Sequence, residues 1–256
     1  MTKRRRGPVV PRAALGFVSP GDVKTGFAFS VVRAMCHEIG TTGLGFQLLD
    51  QRAASGQLVE ARNELVAQFL DETPCDWFWS VDSDMGFDAD CLSRLIASAD
   101  KTSRPFVGAL CFGLRKNGED YDLRTYDLRC FPTLYAWQET DEEVGFQVIR
   151  DYPRGQLVEV SGTGAACFVA HRSLLERIRA KFGPVWFDKL THPKGDRTFS
   201  EDLSFCVRVA AVDTPVYVDT AVPTSHDKGG VFLTEAVWDE QEFLRINYLE
   251  PATEGV

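Results

Sequence analysis

Long apolar runs are missing from this chain. None approaches the ~18 residues that would cross a bilayer, so no membrane span is expected. Positive charge is scarce too: 28 Lys and Arg stand against 37 Asp and Glu, giving a net charge of −9 and a pI near 5.0. That balance argues against a surface that wraps DNA or another polyanion. It leaves room for an anionic small molecule held by a metal and one or two arginines. The seven cysteines, at 36, 75, 91, 111, 130, 167 and 206, are odd in number and include no C-x-x-C pair. Several sit in apolar runs such as Ala166-Cys167-Phe168, so they read as buried thiols in a reducing compartment, not a disulfide framework or zinc site. No long apolar segment follows Lys3-Arg4-Arg5-Arg6, so a secretory signal is not expected and the expected location is cytoplasmic. Internal repeats and linkers rich in Pro, Gly or Ser are absent as well. Residues 13–256 are therefore read as a single domain behind a flexible basic tail, 1–12.

What is present is ordinary globular material: 256 residues, 44% hydrophobic and 25% charged, enough for a substantial core. Ala13 to Val18 reads as a first strand, stopped by the turn signal Ser19-Pro20-Gly21. Phe27, Val31, Ala34, Met35 and Ile39 recur at helical spacing. Leu44 to Leu49 reads as a second strand ending at Asp50, and Leu58 to Leu70 as a second helix. A central strand follows Pro74. Asp88 is placed to cap a helix through Ala99, and Pro105 to Leu110 reads as a further strand. The order β-α-β-α-β-α-β predicts an α/β fold with a doubly wound, mainly parallel, Rossmann-like sheet. Right-handed crossovers would gather Ser19-Pro20, Asp50 and Asp82-Ser83-Asp84 in one crevice.

The second half is less regular. Gly113 to Arg129 is polar, with a turn signal at Asn117-Gly118. Phe131 to Trp137, Val144 to Ile149 and Leu157 to Val160 alternate like strands of a small antiparallel insertion. The small residues of Ser161-Gly162-Thr163-Gly164-Ala165-Ala166 lack the Gly-Lys-Ser/Thr of a phosphate-binding loop. They point to close backbone approach to a ligand or a neighbouring strand. Helices are expected from Ser173 to Phe182, from Ser200 through Ala211, and near Glu235 to Tyr248, with a short strand at Val216 to Val218.

The stretch Asp76-Trp77-Phe78-Trp79-Ser80-Val81-Asp82-Ser83-Asp84 organises the rest. Its apolar core suits a strand covered on both faces. Asp82 and Asp84 then stand at its carboxyl end, where ligands of open α/β sheets collect. Two such carboxylates offer hard oxygens to Mg²⁺ or Mn²⁺, which can hold a diphosphate. The alternative is a solvated acidic turn. Likewise Glu201-Asp202 can be plain helix capping, His226 a surface loop histidine, and Arg62 a solvated helix arginine. His37, His171 and His192 take the structural reading.

Arg62-Asn63, Trp79-Ser80-Val81-Asp82-Ser83-Asp84, Gly162-Thr163-Gly164, Glu201-Asp202 opening a helix, and His226, in that order, resemble the GT-A glycosyltransferases. The match is to the family-2-like type and the small kind found in bacteriophage genomes, and it covers roughly residues 13 to 230. The resemblance implies a nucleoside diphosphate sugar donor, with 13–112 as the nucleotide-binding half and 113–256 as the acceptor-side half. Asp82 would face the ribose or the metal, Asp84 would ligate Mn²⁺ or Mg²⁺, and His226 would add a third protein ligand or touch the diphosphate. Arg62 would reach base or phosphates and Asp50 the base, with Ser19, Pro20, Asn63, Ser83 and Lys228 completing the donor set. Gly162, Thr163 and Gly164 would lie on the acceptor side, and Glu201 or Asp202 would face the acceptor hydroxyl. Segment 113–160 matches no acceptor motif, leaving the acceptor open between a virion protein, a glycan and others.

Chemistry supports the same roles. A carboxylate within reach must take the acceptor proton, a role assigned to Asp202, with Glu201 orienting sugar or acceptor. Arg62 or Lys228 would add charge stabilisation. Gly229-Gly230, beside Lys228, suggests a lid. A sugar-nucleotide nucleotidyltransferase would instead want a glycine-rich basic loop after the first strand, where this chain has Ser19-Pro20-Gly21-Asp22. A non-catalytic nucleotide-sugar-binding module is the other alternative. A DNA-base glycosyltransferase is opposed by the acidic balance.

Overall fold

The computed structural model describes residues 13–43, 45–53, 56–115, 129–140, 144–192 and 198–249. The expected basic tail and the Asn117-Gly118 turn lie outside the described residues. The first half runs β1 (Ala13–Ser19), α1 (Thr25–Thr42), β2 (Gln47–Arg52), α2 (Leu58–Glu72), β3 (Trp77–Val81), β4 (Met85–Phe87), α3 (Cys91–Ser98) and β5 (Phe106–Leu110). Then come β6 (Phe112–Arg115), β7 (Arg129–Pro132), β8 (Leu134–Glu139), β9 (Val144–Val148), β10 (Leu157–Val160) and β11 (Gly162–Thr163). The chain continues through β12 (Cys167–His171), α4 (Arg172–Phe182), β13 (Leu190–Thr191), β14 (Thr198–Phe199) and α5 (Glu201–Ala211). It ends with β15 (Val216–Asp227), β16 (Phe232–Leu233), α6 (Glu235–Leu244) and a π-helical turn, Arg245–Leu249.

The main sheet has the order β10-β15-β5-β12-β3-β1-β2. β1 pairs parallel with β2 and β3, and β5 parallel with β15. The expected parallel run is interrupted by β12, which lies antiparallel between β3 and β5. β10 is antiparallel on the edge. Every residue of β3 is buried, which requires cover on both faces. Side-chain alternation divides that cover. Phe78 and Phe168 point to the face covered by α2, α4 and α5, whereas Trp79 and Val169 point to the face covered by α1 and α3. Gly16 on β1 makes room for this: a Cβ there would come within 2.5 Å of the Phe78 ring.

Three further expectations change. Leu157 to Val160 is not part of the antiparallel patch; it joins the main sheet on β15, while β11, β8 and β9 form the three-stranded patch. β15 does not stop at Val218. It shifts register between Asp219 and Pro223, where proline cannot continue the ladder, and its second half leaves β5 to pair with β4 and β16. Asp88 is not the cap of α3: Asp90 holds that position and the Asp88 carbonyl accepts from Cys91 N. Among the described residues no helix is long and apolar enough to cross a membrane.

Candidate active site

A cleft of about 330 Å³ opens at the carboxyl ends of β1 and β3. Its walls include Pro20, Asp22, Lys24, Arg62, Asp82, Ser83, Asp84 and Lys228. Two of the predicted groups, Pro20 and Asp82-Ser83-Asp84, therefore share it. The turn after β3 is closed by Met85 N donating to Asp82 O at 3.0 Å, and Asp82 N is tied to Ala166 O at 2.9 Å. Ser83 O accepts from Lys24 N at 3.0 Å, joining the start of α1 to the acidic turn.

Arg62 is buried on α2, not solvated. Its Nη2 donates to Asp82 Oδ1 at 2.8 Å, its Nη1 to Ala165 O at 3.4 Å, and its Nε lies 3.9 Å from Glu201 Oε1. The guanidinium sits over the Phe187 ring, 5.6 Å from its centroid. Burial works against the charge, and the carboxylates of Asp82, Glu201 and Asp202 outweigh it, raising the Arg62 pKa. Phe187 itself stacks on Phe205 at 4.7 Å, and Phe205 stacks on Phe168 of β12 at 5.5 Å. A column of aromatic rings thus runs from the centre of the sheet to the floor beneath Arg62.

Asp84 faces β15. His226 Nε2 lies 3.1 Å from Asp84 Oδ1, and Lys228 Nζ donates to Asp84 Oδ2 at 2.9 Å. Burial pushes the Asp84 carboxyl up, but His226 and Lys228 outweigh it and hold it at about 2. His226 is buried, not a surface loop residue. Its Nδ1 lies 2.9 Å from the Phe112 carbonyl, which can only accept, so Nδ1 carries the proton. Nε2 is buried and faces the Asp84 carboxylate. An imidazole nitrogen and a carboxylate oxygen facing each other, with the far nitrogen anchored on a carbonyl, form a donor pair that suits a divalent cation such as Mn²⁺. Asp82 is turned toward Arg62 instead. Among the described residues no group of three or more His, Cys, Asp or Glu gathers as a complete metal cage. The Lys228 turn is closed by Lys228 N donating to Val231 O at 2.8 Å, with Gly229 and Gly230 at φ 73° and 96°, where side chains are strained.

The remaining predicted residues divide. Glu201 reaches the Arg62 side of the site. Asp202 Oδ1 accepts from Leu203 N at 2.8 Å and from the Ser200 hydroxyl, so this carboxylate also steadies the start of α5. Asn63 faces away: its Oδ1 accepts from Trp186 N and Phe187 N at 2.8 and 2.9 Å, and its Nδ2 donates to Phe187 O at 2.9 Å. It positions the ring beneath Arg62. Asp50 is exposed one strand out, opposite Phe17, and is not among the cleft-lining residues. Ser19 is buried, its carbonyl accepting from Ala53 N. Gly162, Thr163 and Gly164 are all buried, and a Cβ on Gly162 would lie 2.7 Å from the Phe146 ring. Lys24, Asp22 and Phe187 were not singled out in the sequence. Lys24 and Asp22 follow the Ser19-Pro20-Gly21 turn directly, which is the signal that could have found them.

A mainly parallel sheet with an antiparallel strand in its centre, an acidic turn at the end of β3 and small antiparallel sheets at its side make up a GT-A-like α/β fold. No family model and no curated protein matches the chain. Among solved structures it is similar to A197 from STIV, at 14% identity and a TM-score of 0.51, over 88% of this chain and 91% of that one. It is also similar to GalNAc-T7 solved with UDP, GalNAc and Mn²⁺, at 10% identity and a TM-score of 0.54. That match covers 86% of this chain and 44% of GalNAc-T7. At such identities the likeness is one of fold.

Proposed function

We propose that the chain is a glycosyltransferase that moves a sugar from a nucleoside diphosphate sugar to an acceptor hydroxyl, using Mn²⁺ or Mg²⁺. The observation that carries this reading is the pairing of Asp84, which lines the cleft, with the buried His226, beside the Arg62–Asp82 ion pair in the same cleft. Residues 13–112 form the donor half, and 113–256 supply the acceptor-side carboxylates together with His226 and Lys228. The resemblance to small family-2-like enzymes of bacteriophages, acting in a host cytoplasm, belongs to the same reading.

Asp84 and His226 are the residues that would hold the cation. When bound, the metal neutralises charge on the departing diphosphate. Arg62 fixes the Asp82 carboxylate toward the donor ribose, and Lys228 moves from Asp84 to the phosphates, carried by the Gly229-Gly230 turn. The sugar C1–O bond to the diphosphate breaks as the acceptor oxygen bonds to C1. The acceptor proton passes to Asp202, while Glu201 orients the acceptor.

A second reading, a nucleotide-sugar-binding module without turnover, is favoured by the capping contacts of Asp202. A titration of UDP-, GDP- and TDP-sugars with and without Mn²⁺, followed by donor turnover, separates the two. The transferase reading expects turnover with one donor, lost in Asp84→Ala. It also expects Asp202→Asn to bind nucleotide and transfer nothing. Tight binding with no turnover on any hydroxyl acceptor supports the module.

A further inference from the structure

Trp137 differs from the other tryptophans. Trp77, Trp79, Trp186 and Trp238 are at most 4% exposed, whereas Trp137 is 37% exposed. A ring of this size left facing water gives up more burial than almost any other side chain. The ring is nevertheless held firmly. It meets its cross-strand partner Phe146 edge-on at 5.2 Å and 83°, and lies 5.8 Å from both Phe199 and His192. A large flat surface that is half-open and already fixed loses little freedom when something stacks on it.

Its place in the fold matters as much. Phe199 belongs to β14, which leads directly through Ser200 into Glu201 and Asp202. Phe146 packs against Gly162, where a Cβ would also meet Leu203 of α5 at 3.2 Å. The aromatic group is thus braced on the first turn of the helix that carries both candidate acceptor-side carboxylates. None of its rings is among the lining of the donor cleft.

We propose that Trp137, backed by Phe146 and Phe199, is the platform on which a saccharide acceptor stacks. The inference rests on the glycosyl-transfer reading and names its acceptor class. A pyranose presents a face of C–H bonds with partial positive charge, which suits the negative face of an indole. Its rim of hydroxyls needs polar neighbours. Alternation along β8 puts the exposed Glu139, two residues on, on the same face as Trp137, where its carboxylate can accept from such hydroxyls. A lipid chain would want a continuous apolar surface, whereas this ring is followed by exposed polar residues 138–140.

Because four of the five tryptophans are buried, the solvent-facing part of the fluorescence belongs to Trp137. Methyl glycosides of glucose, galactose and N-acetylglucosamine are titrated against the full chain, with the peptide Gly-Tyr-Gly as the competing class. At least one glycoside should shift emission to the blue and protect it from acrylamide, and Trp137→Phe should remove that change. By ligand-observed NMR, Trp137→Ala should weaken the same glycoside about tenfold. Thermal melting shows whether each variant is folded, and Trp137→Phe keeps a ring in place should Trp137→Ala fail to fold. Equal glycoside binding in wild type and Trp137→Ala, a response to the peptide alone, or no response to any probe overturns the proposal. If glycosides protect Trp137 while no nucleotide sugar binds, the transferase reading falls and the saccharide site stands.

Discussion

His226 Nε2 faces Asp84 Oδ1 across 3.1 Å, and the backbone sets them there. His226 pairs with Met85, the residue after Asp84, and Asp227 N donates to Asp84 O at 2.9 Å. Nδ1 donates to the Phe112 carbonyl, so Nε2 is the nitrogen left to meet the Asp84 carboxylate. That arrangement is stable only with a positive charge between the two atoms, a second proton or a metal. On the metal-dependent reading proposed above, His226→Ala should weaken Mn²⁺ binding by at least about tenfold, measured by calorimetry or Mn²⁺ EPR in the presence of UDP. Unchanged Mn²⁺ affinity would remove His226 from the metal site.

Acid stability gives a second test of the same contact. Asp84 has its folded pKa depressed to about 2, against roughly 3.9 in an unfolded chain. A depressed carboxylate stabilises the fold above its unfolded pKa, and that contribution disappears as pH falls through the folded value. The loss therefore falls between about pH 4 and pH 2, amounting to about 1–2 kcal/mol for this mostly buried group. Urea unfolding of Asp84→Asn should show a flatter slope across that window than the parent chain. Parallel curves would mean that Asp84 is not held by His226 and Lys228 in solution.

Arg62 carries a larger structural share. It is buried, faces Asp82 and Glu201, and hydrogen-bonds the Ala165 carbonyl. Removing it leaves carboxylates beside an apolar ring with no countercharge. Arg62→Met should cost about 3–5 kcal/mol in chemical unfolding. Arg62→Lys should recover only part, because a single ammonium cannot reach Asp82 and Ala165 while covering the Phe187 ring. A loss below about 1 kcal/mol for Arg62→Met would place the guanidinium in solvent, where ion pairs contribute little.

The sequence was most legible where side chains act locally. The apolar run of β3 and the carboxylates ending it could be read directly, because a strand buried on both faces leaves few alternatives. Long-range pairing was hidden. β12 carries an apolar run like that of β3, but nothing local says that it enters the sheet antiparallel between β3 and β5. Asp50 ends up outside because strand alternation turns the buried Leu49 inward and its neighbour outward. Asn63 follows Arg62 by one helical step, about 100° around the axis, and so meets Trp186 and Phe187 rather than the cleft. The small residues around Gly162 fit close approach to a ligand or to a neighbouring strand; the Phe146 ring on its open side favours the second, and that ring comes from a strand distant in sequence.

Thiol reactivity tests the packing without reference to catalysis. All seven cysteines are free, with Cys36 exposed on α1 and the other six buried. Burial pushes the Cys130 and Cys206 thiols up to about 12, and Cys111 well above its ordinary value. Cys167 is raised by its hydrogen bond to Cys91 and then by burial. Thiolate is the reactive form, so these groups are both inaccessible and protonated at neutral pH. Ellman's reagent at pH 8 should titrate one fast thiol per chain, and Cys36→Ser should abolish that phase. The other thiols should react only as the fold opens, at rates that rise with urea in step with unfolding. A second fast thiol in the native protein would show that one of the helical layers over the sheet is looser than its packing indicates.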